Sequence, residues 1–151
     1  MAKFKVLRNL IRLIASIMSL VGFGMMFLYQ VRITNRGELS FIDTFFGSDG
    51  TFIPLIGYGL MLASAVVCFI FIDSPMLEEQ KRFIYYAISA ALVIAALLVF
   101  TEGALITAMI NEEGVSARLL APPIIAGTLA IVSALGLSFA EISTKHKKEN
   151  I

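Results

Sequence analysis

The stretch FTEGALITAM at 100–109 places a carboxylate, Glu102, in the apolar run FIYYAISAALVIAALLVFTEGALITAMI at 83–110. A carboxyl group in apolar surroundings can exchange a proton or bind a cation. It can instead pair with a cationic side chain, or extend to the lipid headgroups. Depth discriminates among these. Counted from Phe83, Glu102 is the twentieth residue, about 30 Å along a helix. That places it near the outer end of a hydrocarbon layer and not at its middle, where a carboxylate would cost roughly 2.5–3.5 kcal/mol on insertion scales. Arg32, Arg36 and Arg118 fall on the same side of the chain's turns. A rim ion pair of Glu102 with Arg32 or Arg118 is therefore the leading structural expectation, with proton or cation handling by Glu102 as its alternative.

Other chemistry is sparse. The chain has a single cysteine, Cys68, and a single histidine, His146. No intrachain disulfide and no Cys/His metal constellation can be assembled from them. An intramembrane protease needs a Ser/His pair, two aspartates or a metal, and none falls inside an apolar block. Met18, Met25, Met26 and Met61 read as packing side chains, not haem ligands. GFG at 22–24 and GYG at 57–59 lie within apolar helical pattern and lack the preceding threonine–valine of a potassium filter. The acidic residues of 32–52 do not match calcium-loop spacing. No cofactor and no enzymatic activity are expected.

The elements that carry these residues are set by hydropathy. Hydrophobic residues make up 58 % of the 151, and charged ones only 15 %, against roughly 25 % in a soluble domain. The deficit falls in blocks at about 13–31, 53–72, 83–104 and 119–140, each near the ~20 residues that cross a bilayer. The expected fold is therefore all-α: one domain over 1–151 with four transmembrane helices. A net charge of +1 argues neither way about nucleic acid, and none is expected as a partner. The basic N-terminus followed by an apolar run resembles a signal peptide. The run is long and no A-x-A-like site follows, so the segment is expected to be retained.

Lys and Arg set the orientation. Four spans put both termini on one side, with Lys3, Lys5, Arg8, Arg12, Lys81, Arg82, Lys145, Lys147 and Lys148; Arg32, Arg36 and Arg118 lie on the other. The bias predicts cytoplasmic termini and a cytoplasmic 73–82 connection. Lys5, Arg8 and Arg12 give the first helix a basic start that suits anionic lipid headgroups, or else a cytoplasmic partner. In the first outer loop, Ser40 and Asp43 fit a capping box. Phe41, Phe45 and Phe46 then predict a short interfacial helix stopped by Gly47, with a turn at 48–50. Pro54, Pro122 and Pro123 open the second and fourth spans. The tail EISTKHKKENI reads as solvated.

In lipid, helices associate by close packing of small residues. Ala126, Ala130, Ala134 and Ser138 form a ridge on the fourth span. Ala87, Ala91 and Ala95 form one on the third, Gly59 and Ala63 mark the second, and Ala15 and Ser19 the first. A weak echo, Pro54 to Ser64-Ala65 against Pro123 to Ser133-Ala134, matches too few positions to argue duplication. Packing surface without chemistry points to a non-enzymatic structural or accessory subunit of a membrane complex or homo-oligomer, with lipid, other subunits or its own copies as partners. The alternative is a small oligomeric transporter or channel using Glu102. Small size, short loops and the lack of outer disulfides suggest a bacterial plasma membrane.

Overall fold

The computed structural model describes residues 2–33, 37–39, 41–46, 51–72, 78–110 and 114–149. In chain order the elements are α1 (Ala2–Gly24), a 3-10 turn (Met25–Phe27), β1 (Val31–Ile33), β2 (Gly37–Leu39) and α2 (Phe41–Phe46). There follow α3 (Ile53–Phe71), α4 (Glu78–Phe100), α5 (Glu102–Ile110), β3 (Ala117–Leu119) and α6 (Ala121–Glu149). The chain is mostly helical. Four segments are long and apolar enough to cross a membrane: Val6–Phe27, Ile53–Phe71, Glu79–Phe100 and Ala121–Glu141. Helix is the form such segments must take in lipid, because it satisfies every backbone N–H and C=O internally. Pro54, Pro122 and Pro123 sit in first turns, where a missing N–H costs no helical bond. Ser40, Gly47, the turn at 48–50 and residues 73–77 lie outside the described residues.

The four long helices form a square. α1 packs against α3 and α6, and α4 packs against the same two, so α1/α4 and α3/α6 lie on diagonals. The start of α1, the end of α3, the start of α4 and the end of α6 share one end of the bundle, the terminal end. The opposite end carries a three-stranded antiparallel sheet of order β2-β1-β3. Hydropathy gave no sign of this sheet. Three-residue strands are too short to display alternation, and β3 pairs with β1 across most of the chain, Val31 facing Leu119 and Ile33 facing Ala117.

Several boundaries differ from expectation. Val31 is strand and not helix, because the first helix ends at Gly24. The third span is interrupted at Thr101, and Glu102 begins a separate helix outside the spanning segment. The last helix begins beyond β3 and continues into the tail to Glu149. The short α2 exists, yet it is not simply laid on an interface. Phe45 is buried and packs edge-on against Tyr58 with ring centroids 5.9 Å apart, while Ile42 and Phe46 face outward.

On α6, Ala126, Ala130 and Ala134 are buried and Ser138 is half-buried. The ridge on α4 is only partly internal, with Ala95 buried, Ala91 half-buried and Ala87 exposed. The α3 expectation is corrected. Gly59 and Ala63 face outward, and the inward stripe is Gly57, Met61, Ser64, Ala65 and Cys68. Two positions along a helix rotate the face by about 200°, so GYG offered two glycines and the chain uses the first. A Cβ on Gly57 would lie 2.9 Å from the Ala95 carbonyl oxygen, whereas one on Gly59 meets nothing within 4 Å. Gly127 admits the Phe100 ring in the same way, joining α6 to α4.

Gly57→Ala should therefore lower stability by about 1–3 kcal/mol through overpacking. Gly59→Ala should leave it unchanged or raise it, since alanine is the better helix former. Thermal unfolding of the two variants in mild detergent checks the difference.

Candidate functional site

Two buried polar clusters occupy the two ends of the bundle. At the terminal end all four long helices contribute to the cluster. Arg12 of α1 is fully buried and Glu141 of α6 nearly so. The Arg12 Nε donates to Glu141 Oε1 at 3.1 Å, and Nη2 donates to the same oxygen. Nη1 reaches Asn9 Oδ1 at 3.4 Å. The guanidinium carbon lies 3.9 Å from the centre of the Tyr85 ring of α4, a cation–π contact across the diagonal. The Tyr85 hydroxyl donates to the Cys68 carbonyl at 3.1 Å, and the Cys68 thiol of α3 donates to the Arg12 carbonyl at 3.2 Å.

Arg12 was expected at the headgroups and Glu141 in solvent, each just outside an apolar block. Both expectations are corrected. The two charges neutralise one another, which lets helical structure and burial extend past the hydropathy boundary. Signals for this existed in the pattern. Arg12 shares the face of Ala15, Ser16 and Ser19, and Glu141 continues the face of Ala130, Ala134 and Leu137. The lysines after Glu141 concealed it by making the segment look like a tail. Nearby hydroxyls act on backbone: Ser16 donates to the Ala65 carbonyl at 2.7 Å and Ser133 to the Ala15 carbonyl at 3.4 Å.

At the sheet end the central residue is Gln30, fully buried. Its Nε2 donates to the carbonyls of Met25 at 2.7 Å, Leu28 at 2.8 Å and Met26 at 3.2 Å, tying down the turn that follows α1. Its Oε1 accepts from the Tyr58 hydroxyl at 2.6 Å. Its backbone carbonyl receives the Leu120 N–H at 3.0 Å, which joins the end of α1 to the start of α6. The Thr107 hydroxyl donates to the Gly103 carbonyl and accepts the Ala117 N–H, both at 2.8 Å, and so pins α5 to β3.

Glu102 is fully buried, and among the described residues neither carboxylate oxygen has a hydrogen-bond partner. Arg32 is 62 % exposed and donates to Glu38 Oε1 at 2.6 Å. Arg118 stands opposite Arg32 in the ladder and is also exposed. The expected pair of Glu102 with Arg32 or Arg118 is thus not formed. Strand alternation is the reason. Val31 and Ile33 point inward onto Ile106, one turn beyond Glu102 on the same face of α5, so Arg32 and Arg118 point away. Burial pushes the Glu102 carboxyl up from 4.5 to about 8. Among the described residues no group of three or more His, Cys, Asp or Glu could hold a metal ion.

At the terminal end Arg12 and Glu141 compensate one another, whereas among the described residues Glu102 has no such partner. Arg12→Met or Glu141→Leu alone should cost about 3–5 kcal/mol by leaving a bare buried charge, and the double substitution should recover most of that loss. A double-mutant cycle on unfolding in detergent measures the coupling. The chain matches no protein-family profile, no curated protein and no solved structure.

Proposed function

We propose that this chain is a non-enzymatic integral membrane protein that serves as a structural or accessory subunit, joined to copies of itself or to a larger membrane complex. The observation that carries the reading is the division of small residues between inside and outside. The interior is filled by its own helices and closed at the terminal end by the Arg12–Glu141 pair. Gly59 and Ala63 on α3 and Ala87 on α4 nonetheless face outward. Helix surfaces in lipid approach closely through residues of this size. The distribution of lysine and arginine supports cytoplasmic termini, with Lys3 and Lys5, ahead of the buried Arg8 and Arg12, suited to anionic headgroups. Short loops support a bacterial plasma membrane.

A second reading, a small oligomeric transporter or channel, is favoured by Glu102 itself, a carboxyl buried without partner among the described residues. Replacing it by Gln in a liposome flux assay should abolish proton or cation flux; undiminished flux, or none in the parent protein, removes this reading.

For the leading reading, the mass of the purified chain in lipid nanodiscs or mild detergent should correspond to a homo-oligomer or a stoichiometric complex. Ala63→Leu should shift that mass toward the monomer while leaving the helical content unchanged. A parent chain that is monomeric under these conditions overturns the proposal.

A further inference from the structure

We infer that Glu102 is an occluded proton-binding site: in this conformation its carboxyl group carries a proton. The inference is independent of both functional readings, since a protonated carboxyl can lock a structural cap as well as load a transporter.

The geometry leaves an ionised Glu102 without compensation. Its side chain is fully buried and both oxygens lack partners among the described residues. An isolated charge in such a place is neutralised, because shifting the proton equilibrium costs far less than burying the charge. Among the described residues, the groups that face it offer no proton. On α3, Tyr58 is close enough to feel its charge, but the Tyr58 hydroxyl already donates to Gln30 Oε1. Gln30 in turn spends its amide on three backbone carbonyls. On the sheet, Arg32 and Arg118 are exposed on the far face. α6 carries no ionisable residue before Glu141, at the other end of the bundle; α1 carries none beyond Arg12, and Tyr29, which follows it, is exposed.

A helix N-terminus can stabilise an anion, and Glu102 begins α5. Here that effect is weak, because α5 almost continues α4. The Thr101 N–H bonds the Leu97 carbonyl at 3.1 Å, and the Leu105 N–H bonds the Thr101 carbonyl at 2.9 Å. Among the described residues no N–H is turned to the carboxylate, whose oxygens stay unpartnered. A metal cation fits no better than an anion. Small cations need about six or more oxygen ligands, and the Gln30 oxygen beside this site already accepts from Tyr58.

Infrared spectroscopy of the protein in nanodiscs reads the proton directly. At neutral pH the wild type should show the carbonyl stretch of a protonated carboxyl, and Glu102→Gln should lose that band. Raising the pH should remove it with a midpoint of about 8. Absence of a Glu102-dependent band at neutral pH overturns the inference. So does its removal by sodium at fixed pH, which would make this a metal-cation site. Thermal unfolding supplies a second measurement. Folded Glu102 holds its proton more tightly than the unfolded chain does, so its contribution is complete below about 4.5 and is lost as pH rises to about 8. Glu102→Gln cannot ionise and should lack that decline. Parallel pH profiles for the two proteins also overturn the inference.

Discussion

The bundle depends on one electrostatic constraint: Arg12 and Glu141 are buried together and must stay together. Apolar helix faces in lipid can slide and rotate with little penalty, because hydrocarbon surrounds them either way. A buried cation and a buried anion cannot, because separating them strands each in a medium that solvates neither. The pair, 129 positions apart in the chain, therefore sets the depth and rotation of α1 against α6. Its ring and backbone partners, Tyr85 and Cys68, extend the constraint to α4 and α3. A contact between the first and last helices closes the square, and its polarity makes that closure specific.

The sheet end solves a different problem. There a turn follows α1. One glutamine donates to three of its backbone carbonyls and still receives the Tyr58 hydroxyl. The short strands then cover α5 with Val31 and Ile33, and strand alternation sends the arginines to the outer face. The two ends differ in their charge balance. At the terminal end the buried Arg12 is matched by Glu141, and at the sheet end no described residue matches the buried carboxyl group of Glu102. That contrast separates a structural ion pair from a lone carboxyl group that burial favours in its protonated form.

Small residues divide in the same informative way. Ala126, Ala130, Ala134 and Ala95 are consumed inside the bundle, and Gly57 and Gly127 permit the closest approaches. Gly59, Ala63 and Ala87 are turned outward. A four-helix unit has only one interior, so small faces in excess of it lie against lipid or against another protein. Large outward side chains such as Phe69, Leu135 and Phe139 are consistent with hydrocarbon around the remainder of the circumference.

Hydropathy alone determined that four helices would be long and apolar enough to cross a membrane, and spacing alone marked a row of small residues on α6. Both are local properties: about 20 apolar residues must become helix in lipid, and residues four apart share a face. The sequence also singled out Glu102 from its surroundings. It did not reveal what meets Glu102, which glycine of GYG faces inward, or that Arg12 and Glu141 are partners. Each of these depends on how one helix is rotated against another, or on a strand paired with residues more than eighty positions away. Charge near the end of an apolar run reads as an anchor or a tail until the opposite charge is found beside it. Only the tertiary structure supplies that neighbour, because long-range electrostatics decides burial where local hydropathy is indifferent.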